Sequence, residues 1–104
     1  MAGRWVALAP VASLPSGGHA VFELEGRYIA VYHVGGEYHA IEDQCTHDGE
    51  SLDGGEVVDH EVICPRHGAR FCLRTGAALS PPAYAPVTVY PLRIAGDQLL
   101  VDLG

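Results

Sequence analysis

Gln44-Cys45-Thr46-His47-Asp48-Gly49 and Ile63-Cys64-Pro65-Arg66-His67-Gly68 are the two stretches on which the fold of this chain turns. The first gives C-x-H, sixteen residues follow, and the second gives C-x-x-H. Each contributes one thiolate and one imidazole and ends on glycine. Both therefore read as loops whose four donors meet at a metal centre when the loops lie side by side. Two centres satisfy that donor set, a tetrahedral zinc ion and a two-iron cluster. A zinc site of two cysteines and two histidines usually takes its cysteines from one turn and its histidines from another. Here each turn is mixed. A [2Fe-2S] cluster with unequal irons accounts for the mixing, because the cysteines can serve one iron and the histidines the other.

Outward from these loops the chain is a series of short β-rich runs: Trp5 to Ala9, Ala20 to Leu24, Arg27 to Val34, Glu37 to Ile41, Glu61 to Ile63, Val87 to Ile94 and Leu99 to Leu103. Turn signals separate them at Glu25-Gly26, Gly35-Gly36, Asp53-Gly54-Gly55, Thr75-Gly76 and Ala95-Gly96-Asp97. The pattern predicts an antiparallel all-β fold built from successive hairpins. No window keeps a 3.6-residue apolar period for three turns, so no long helix is expected. Ser80 to Pro86, with three prolines, reads as a stiff loop rather than a boundary.

At 104 residues the chain has the size of one domain. Thirteen acidic residues against six basic ones give a net charge of -7. That balance argues against binding nucleic acid or an anionic membrane surface and favours a basic partner. No apolar run approaches the roughly 18 residues that span a bilayer. The N-terminus has no signal-peptide core before Pro10, and a cytoplasmic protein is expected. Three cysteines cannot all pair, which places metal binding ahead of a disulfide framework.

The paired C-x-H and C-P-x-H turns resemble those of the Rieske family, and from residue 3 to 103 the length, β pattern and loop after Leu79 are similar to the small Rieske ferredoxins. The resemblance implies a single domain, residues 1–104, with an antiparallel β-barrel or sandwich and an inserted cluster-binding subdomain at about 43–72. It implies one [2Fe-2S] cluster, with Cys45 and Cys64 on the inner iron, His47 and His67 on the outer iron, and the 80–86 loop covering it. Gly49 and Gly68 are then expected to let backbone N–H groups approach the cluster sulfurs. Pro65 would fix the shape of the second turn.

High-potential members of the family carry an additional cysteine in each ligand loop, and the pair braces the cluster; Glu50 and Arg66 stand at those positions here. Such members also place Ser and Tyr hydroxyls on sulfur within H-G-S-x-Y, where this chain reads His67-Gly68-Ala69-Arg70-Phe71. Hydrogen bonds to sulfur favour the reduced, more negative state, so their loss lowers the potential. A value near the bottom of the Rieske range, about -150 mV, is expected.

Cys72 reads as a buried structural thiol. His19, His33, His39 and His60 lack ligand spacing to any cysteine and read as solvated or core side chains. Trp5, Tyr28, Tyr32, Tyr38, Tyr84 and Tyr90 fit core and rim positions, with Tyr84 near the cluster. Nothing encodes a second domain for a mononuclear iron or a nucleophile and base pair, so an electron carrier rather than an enzyme is expected.

The resemblance implies a monomeric ferredoxin that takes single electrons from a flavin-dependent reductase and passes them to a terminal oxygenase. Asp48, Glu50 and Arg66 are candidates for steering that docking. Small Rieske proteins of iron-sulfur assembly and the nitrite reductase small subunit are the alternatives within the fold. A structural zinc domain is the alternative outside this class.

Overall fold

A computed structural model describes residues 3–46, 49–66, 68–81 and 83–104. His47, Asp48, His67 and Pro82 lie outside the described residues, as do Met1 and Ala2. Three antiparallel sheets form. β1 (Trp5–Pro10), β10 (Gln98–Asp102) and β9 (Leu92–Ala95) lie in that order in the first. β2 (His19–Leu24), β3 (Arg27–Val34), β4 (Glu37–Glu42) and β8 (Val89–Tyr90) make the second. β5 (Val57–Val58), β6 (Glu61–Ile63) and β7 (Arg70–Cys72) make the third. A 3-10 turn, Val11–Ser13, is the one helical element among the described residues.

The second sheet is the central layer, and β3 shows why. Ile29, Ala30, Val31 and Tyr32 are buried in succession. Side chains alternate across a strand, so four in a row are buried only where both faces are covered. Ile29 and Val31 pack with Leu99 and Val101 of the first sheet, while Ala30 and Tyr32 pack with Val62 and Phe71 of the third. Ala40 and Ile41 of β4 divide in the same way. The all-β expectation holds. None of the sheets closes on itself among the described residues, so the barrel-or-sandwich expectation resolves as stacked open sheets.

The run from Val87 to Ile94, expected as one strand, is two. β8 pairs with β4 and β9 pairs with β10, so the chain changes sheets at Pro91. Proline has no N–H to give a ladder, while its carbonyl still accepts from Asp102 N–H at 3.0 Å.

Glycine is required at one turn for two reasons at once. Gly76 has φ +79, and a Cβ there would lie 2.2 Å from the Val87 carbonyl oxygen. Its N–H donates to Cys72 O at 2.7 Å and its own carbonyl accepts from Val87 N–H at 2.9 Å. This close approach ties the end of the 80–86 loop to the turn that follows β7.

Candidate metal centre

Both cysteine loops use the same backbone device. Cys45 N–H donates to Glu50 O at 2.7 Å, and Gly49 N–H donates back to Cys45 O at 2.7 Å. Cys64 N–H donates to Ala69 O at 2.7 Å, and Gly68 N–H to Cys64 O at 3.0 Å. Each loop therefore closes from the cysteine to the fifth residue after it and back from the fourth. In both, the fourth residue is a left-handed glycine, with φ +76 at Gly49 and +78 at Gly68. That conformation is strained for residues with a Cβ.

On the protein side, a Cβ at Gly68 would meet nothing within 4 Å, and at Gly49 only the Gln44 amide nitrogen at 3.5 Å. Their own N–H groups are engaged by the cysteine carbonyls. The left-handed backbone, rather than clearance from a neighbouring protein atom, is what calls for glycine.

Cys45 and Cys64 are 0% and 1% exposed and share one core with Leu52, Ala69 and Phe71. A buried thiolate is costly unless a cation compensates it. Two such positions in twin loops of one core fit a metal centre bound through sulfur. His47 and His67, the expected nitrogen ligands, lie outside the described residues.

The 80–86 loop bridges the two cysteine loops. Next to the second loop, Arg70 N–H donates to Ser80 Oγ at 3.1 Å and Leu79 N–H to Arg70 O at 2.7 Å. In the first loop, Thr46 Oγ1 donates to Ala85 O at 2.6 Å. Ala83 and Val87 anchor it in the core, leaving Tyr84 84% exposed.

One organising residue escaped the sequence reading. Asp43 Oδ1 accepts the N–H groups of Leu52 (2.9 Å) and Asp53 (3.0 Å), and its Oδ2 accepts the Ser51 hydroxyl at 2.6 Å. It clamps the far end of the first loop. Aspartate is a frequent acceptor of loop N–H groups, but nothing local marks a reach of nine or ten residues.

Cys72 is half-buried in β7, not buried as expected. The Thr75 hydroxyl hydrogen-bonds its sulfur and, against burial, holds the thiol below its usual range, helped by backbone N–H groups of Thr75 and Arg74.

Two histidines behave as satisfied side chains. His19 Nδ1 lies 2.9 Å from Asp53 Oδ1, and His33 Nδ1 lies 2.9 Å from Leu14 O, its ring stacked on Tyr38. His39 and His60 differ, because they meet edge to face at 5.5 Å beside Glu37 and Arg74. Burial holds His39 below the usual histidine range; Glu37 opposes this, and His60 and Arg74 add to it.

A folded-state value below the unfolded one means that, as pH falls, the unfolded chain takes up this proton first. The stability is therefore held above about pH 6.5 and is lost progressively below it. Thermal midpoints at pH 7.5 and 5.5 should fall further for the wild type than for His39→Gln. Equal drops would show that His39 is not the group responsible.

The profile of the Rieske [2Fe-2S] domain matches residues 4–91. The 3-phenylpropionate/cinnamic acid dioxygenase ferredoxin subunit of Shigella boydii serotype 4 (strain Sb227) is 42% identical over 95 residues, covering 90% of this chain and 89% of that protein. Among solved structures, the ferredoxin of carbazole 1,9a-dioxygenase from Nocardioides aromaticivorans IC177 superposes with a TM-score of 0.88 at 32% identity, covering 94% of this chain and 96% of that one. A ferredoxin solved in complex with the oxygenase of carbazole 1,9a-dioxygenase also superposes at 0.88, with 29% identity and coverage of 94% and 92%. Twin cysteine loops in one core, the spanning loop and these likenesses agree, and the chain belongs to the Rieske [2Fe-2S] domain family.

Proposed function

We propose that this chain is a one-electron carrier whose [2Fe-2S] cluster is held by Cys45, His47, Cys64 and His67. It takes electrons from a flavin-dependent reductase and delivers them to a terminal oxygenase. Residues 1–104 act as one Rieske domain, with 43–72 as the cluster-binding subdomain and 80–86 as its cover, in a monomeric cytoplasmic protein. The observation that carries this is the matched hydrogen bonding of the two cysteine loops, which holds two buried sulfurs in one core. When bound, the cluster supplies a one-electron couple. The ferredoxin role of the relatives supports the assignment.

The chain's own residues contribute position and charge. Arg4, Arg70 and Arg74 pair with Glu25, Glu61 and Glu37, and Arg93 lies over the Trp5 ring. With these cations engaged internally, the net charge of -7 falls to an acidic exterior that suits basic partners. Tyr84, exposed on the loop bonded to Thr46, offers an aromatic contact at the docking face.

Iron and sulfide analysis tests the assignment, together with visible spectra before and after dithionite. A red-brown protein that bleaches is expected. A colourless, redox-silent protein containing zinc overturns the proposal. Mixing the reduced protein with a basic-faced oxygenase in stopped flow should reoxidise it at a rate that falls with added salt.

The low potential has its own test. Ala69 and Phe71 are buried with the cysteines and bear no hydroxyl. The double variant Ala69→Ser/Phe71→Tyr should raise the midpoint potential by about 50–100 mV, which for a one-electron couple is about 1–2 kcal/mol, the order of one hydrogen bond to a charged acceptor. An unchanged potential in a fully loaded variant removes these positions from the explanation.

A further inference from the structure

Glu37 and His39 are two positions apart on β4, so they leave the same face of the strand. His60 approaches from the turn between β5 and β6, and Arg74 from the turn after β7. Glu37 Oε1 lies 3.1 Å from His39 Nε2 and 3.5 Å from His60 Nε2, and all three donor atoms fall within 4.8 Å of one another. Donors bound to one zinc ion at tetrahedral angles sit about 3.3 Å apart. The two separations straddle that value.

Both imidazoles present the nitrogen such an ion needs. His39 Nε2 is buried and has no hydrogen-bond partner among the described residues, although the Glu37 carboxylate is beside it. His60 Nε2 lies 3.2 Å from Arg74 Nη2, and a guanidinium has only donors, so this nitrogen is the acceptor and carries a lone pair that a metal ion would have to take from Arg74. Burial keeps His39 neutral, the form that binds metal. Two imidazoles and a carboxylate suit zinc and the later first-row divalent ions, and suit calcium or magnesium poorly.

We propose that Glu37, His39 and His60 form a second metal site, for a divalent zinc-like ion, that clips β4 of the central sheet to the β5–β6 turn. Three protein donors leave the fourth position to water. Arg74 is the competitor: its Nη2 lies 3.2 Å from Glu37 Oε2 and 3.2 Å from His60 Nε2. A metal ion bound here displaces the Arg74 to His60 hydrogen bond, so the arginine sets the affinity.

The test is calorimetric titration of the cluster-loaded, chelator-washed protein with zinc chloride, with the visible spectrum followed in parallel. One zinc per chain is expected, without loss of visible absorption. His60→Gln, in a turn, should keep its circular dichroism and bind at least about tenfold more weakly, as should Glu37→Gln. Arg74→Gln should bind at least about tenfold more tightly. The proposal is overturned by no saturable binding in the wild type, by equal affinity in His60→Gln, by no gain in Arg74→Gln, or by uptake that bleaches the cluster. Heat and stoichiometry do not depend on electron transfer, so a colourless protein would end the carrier assignment and leave this one to be read separately.

Discussion

Cys64→Ala is expected to give a folded, colourless protein without the electron paramagnetic resonance signal of a reduced Rieske cluster. Cys64 is 1% exposed, and its loop is closed by backbone bonds from Cys64 to Ala69 and from Gly68 to Cys64. Alanine keeps both bonds. What disappears is the sulfur, and on the proposed ligand set an iron then loses one of its anionic ligands, with no replacement in so apolar a core. Cys72→Ala is the matched control. That thiol is half-buried in β7 and is bonded to Thr75, so its removal should leave iron content and spectrum at wild-type levels. Cys64→Ala carrying a full iron complement with an unaltered spectrum would remove this residue from the ligand set.

Phe71→Ala should cost about 3–5 kcal/mol of folding stability, the range for truncating a buried phenylalanine. Phe71 is 0% exposed, pairs with Val62 across β6 and bridges to Ala78 on its other side. Its ring fills the core that also contains both cysteines, so the cavity opens directly beside the metal loops. For a domain whose total stability is about 5–15 kcal/mol, this loss is a large share. It corresponds to a thermal midpoint lower by about 15–30 °C. Urea titration followed by far-ultraviolet circular dichroism measures it, with Phe71→Leu expected to lose less. A loss under about 1 kcal/mol would mean that the core tolerates the cavity by collapsing around it.

The sequence made the chemistry legible and left much of the wiring hidden. Cys45 and Cys64, the proposed sulfur ligands, stand out in the sequence because metal-binding turns need particular residue types at short local spacing. The paired turns at Glu25-Gly26 and Gly35-Gly36 placed β2, β3 and β4 because hairpin chemistry is also local. β5 is two residues long and carries no alternation to detect. The break at Pro91 was visible as a residue but not as a change of sheet, because the partners that receive β8 and β9 lie at Ala40 to Ile41 and Gln98 to Val101.

Side-chain partnerships were the least legible of all. Glu37, His60 and Arg74 are separated by more than a dozen residues at each step, and only the packing of the third sheet on the second brings them together. The four histidines therefore looked alike in the sequence, whereas folding divides them into a satisfied pair and a converging pair. The hydroxyl of Thr46 reaching the Ala85 carbonyl is another such contact, and it gives the proline loop its place.

Because Ile29 to Tyr32 form a wall common to both apolar compartments, neither compartment can melt and leave the other intact. Heating should therefore not produce a species that retains the metal loops on a loosened base. The protein is organised to lose its redox centre and its architecture in a single cooperative event, so iron release becomes a reporter of global unfolding.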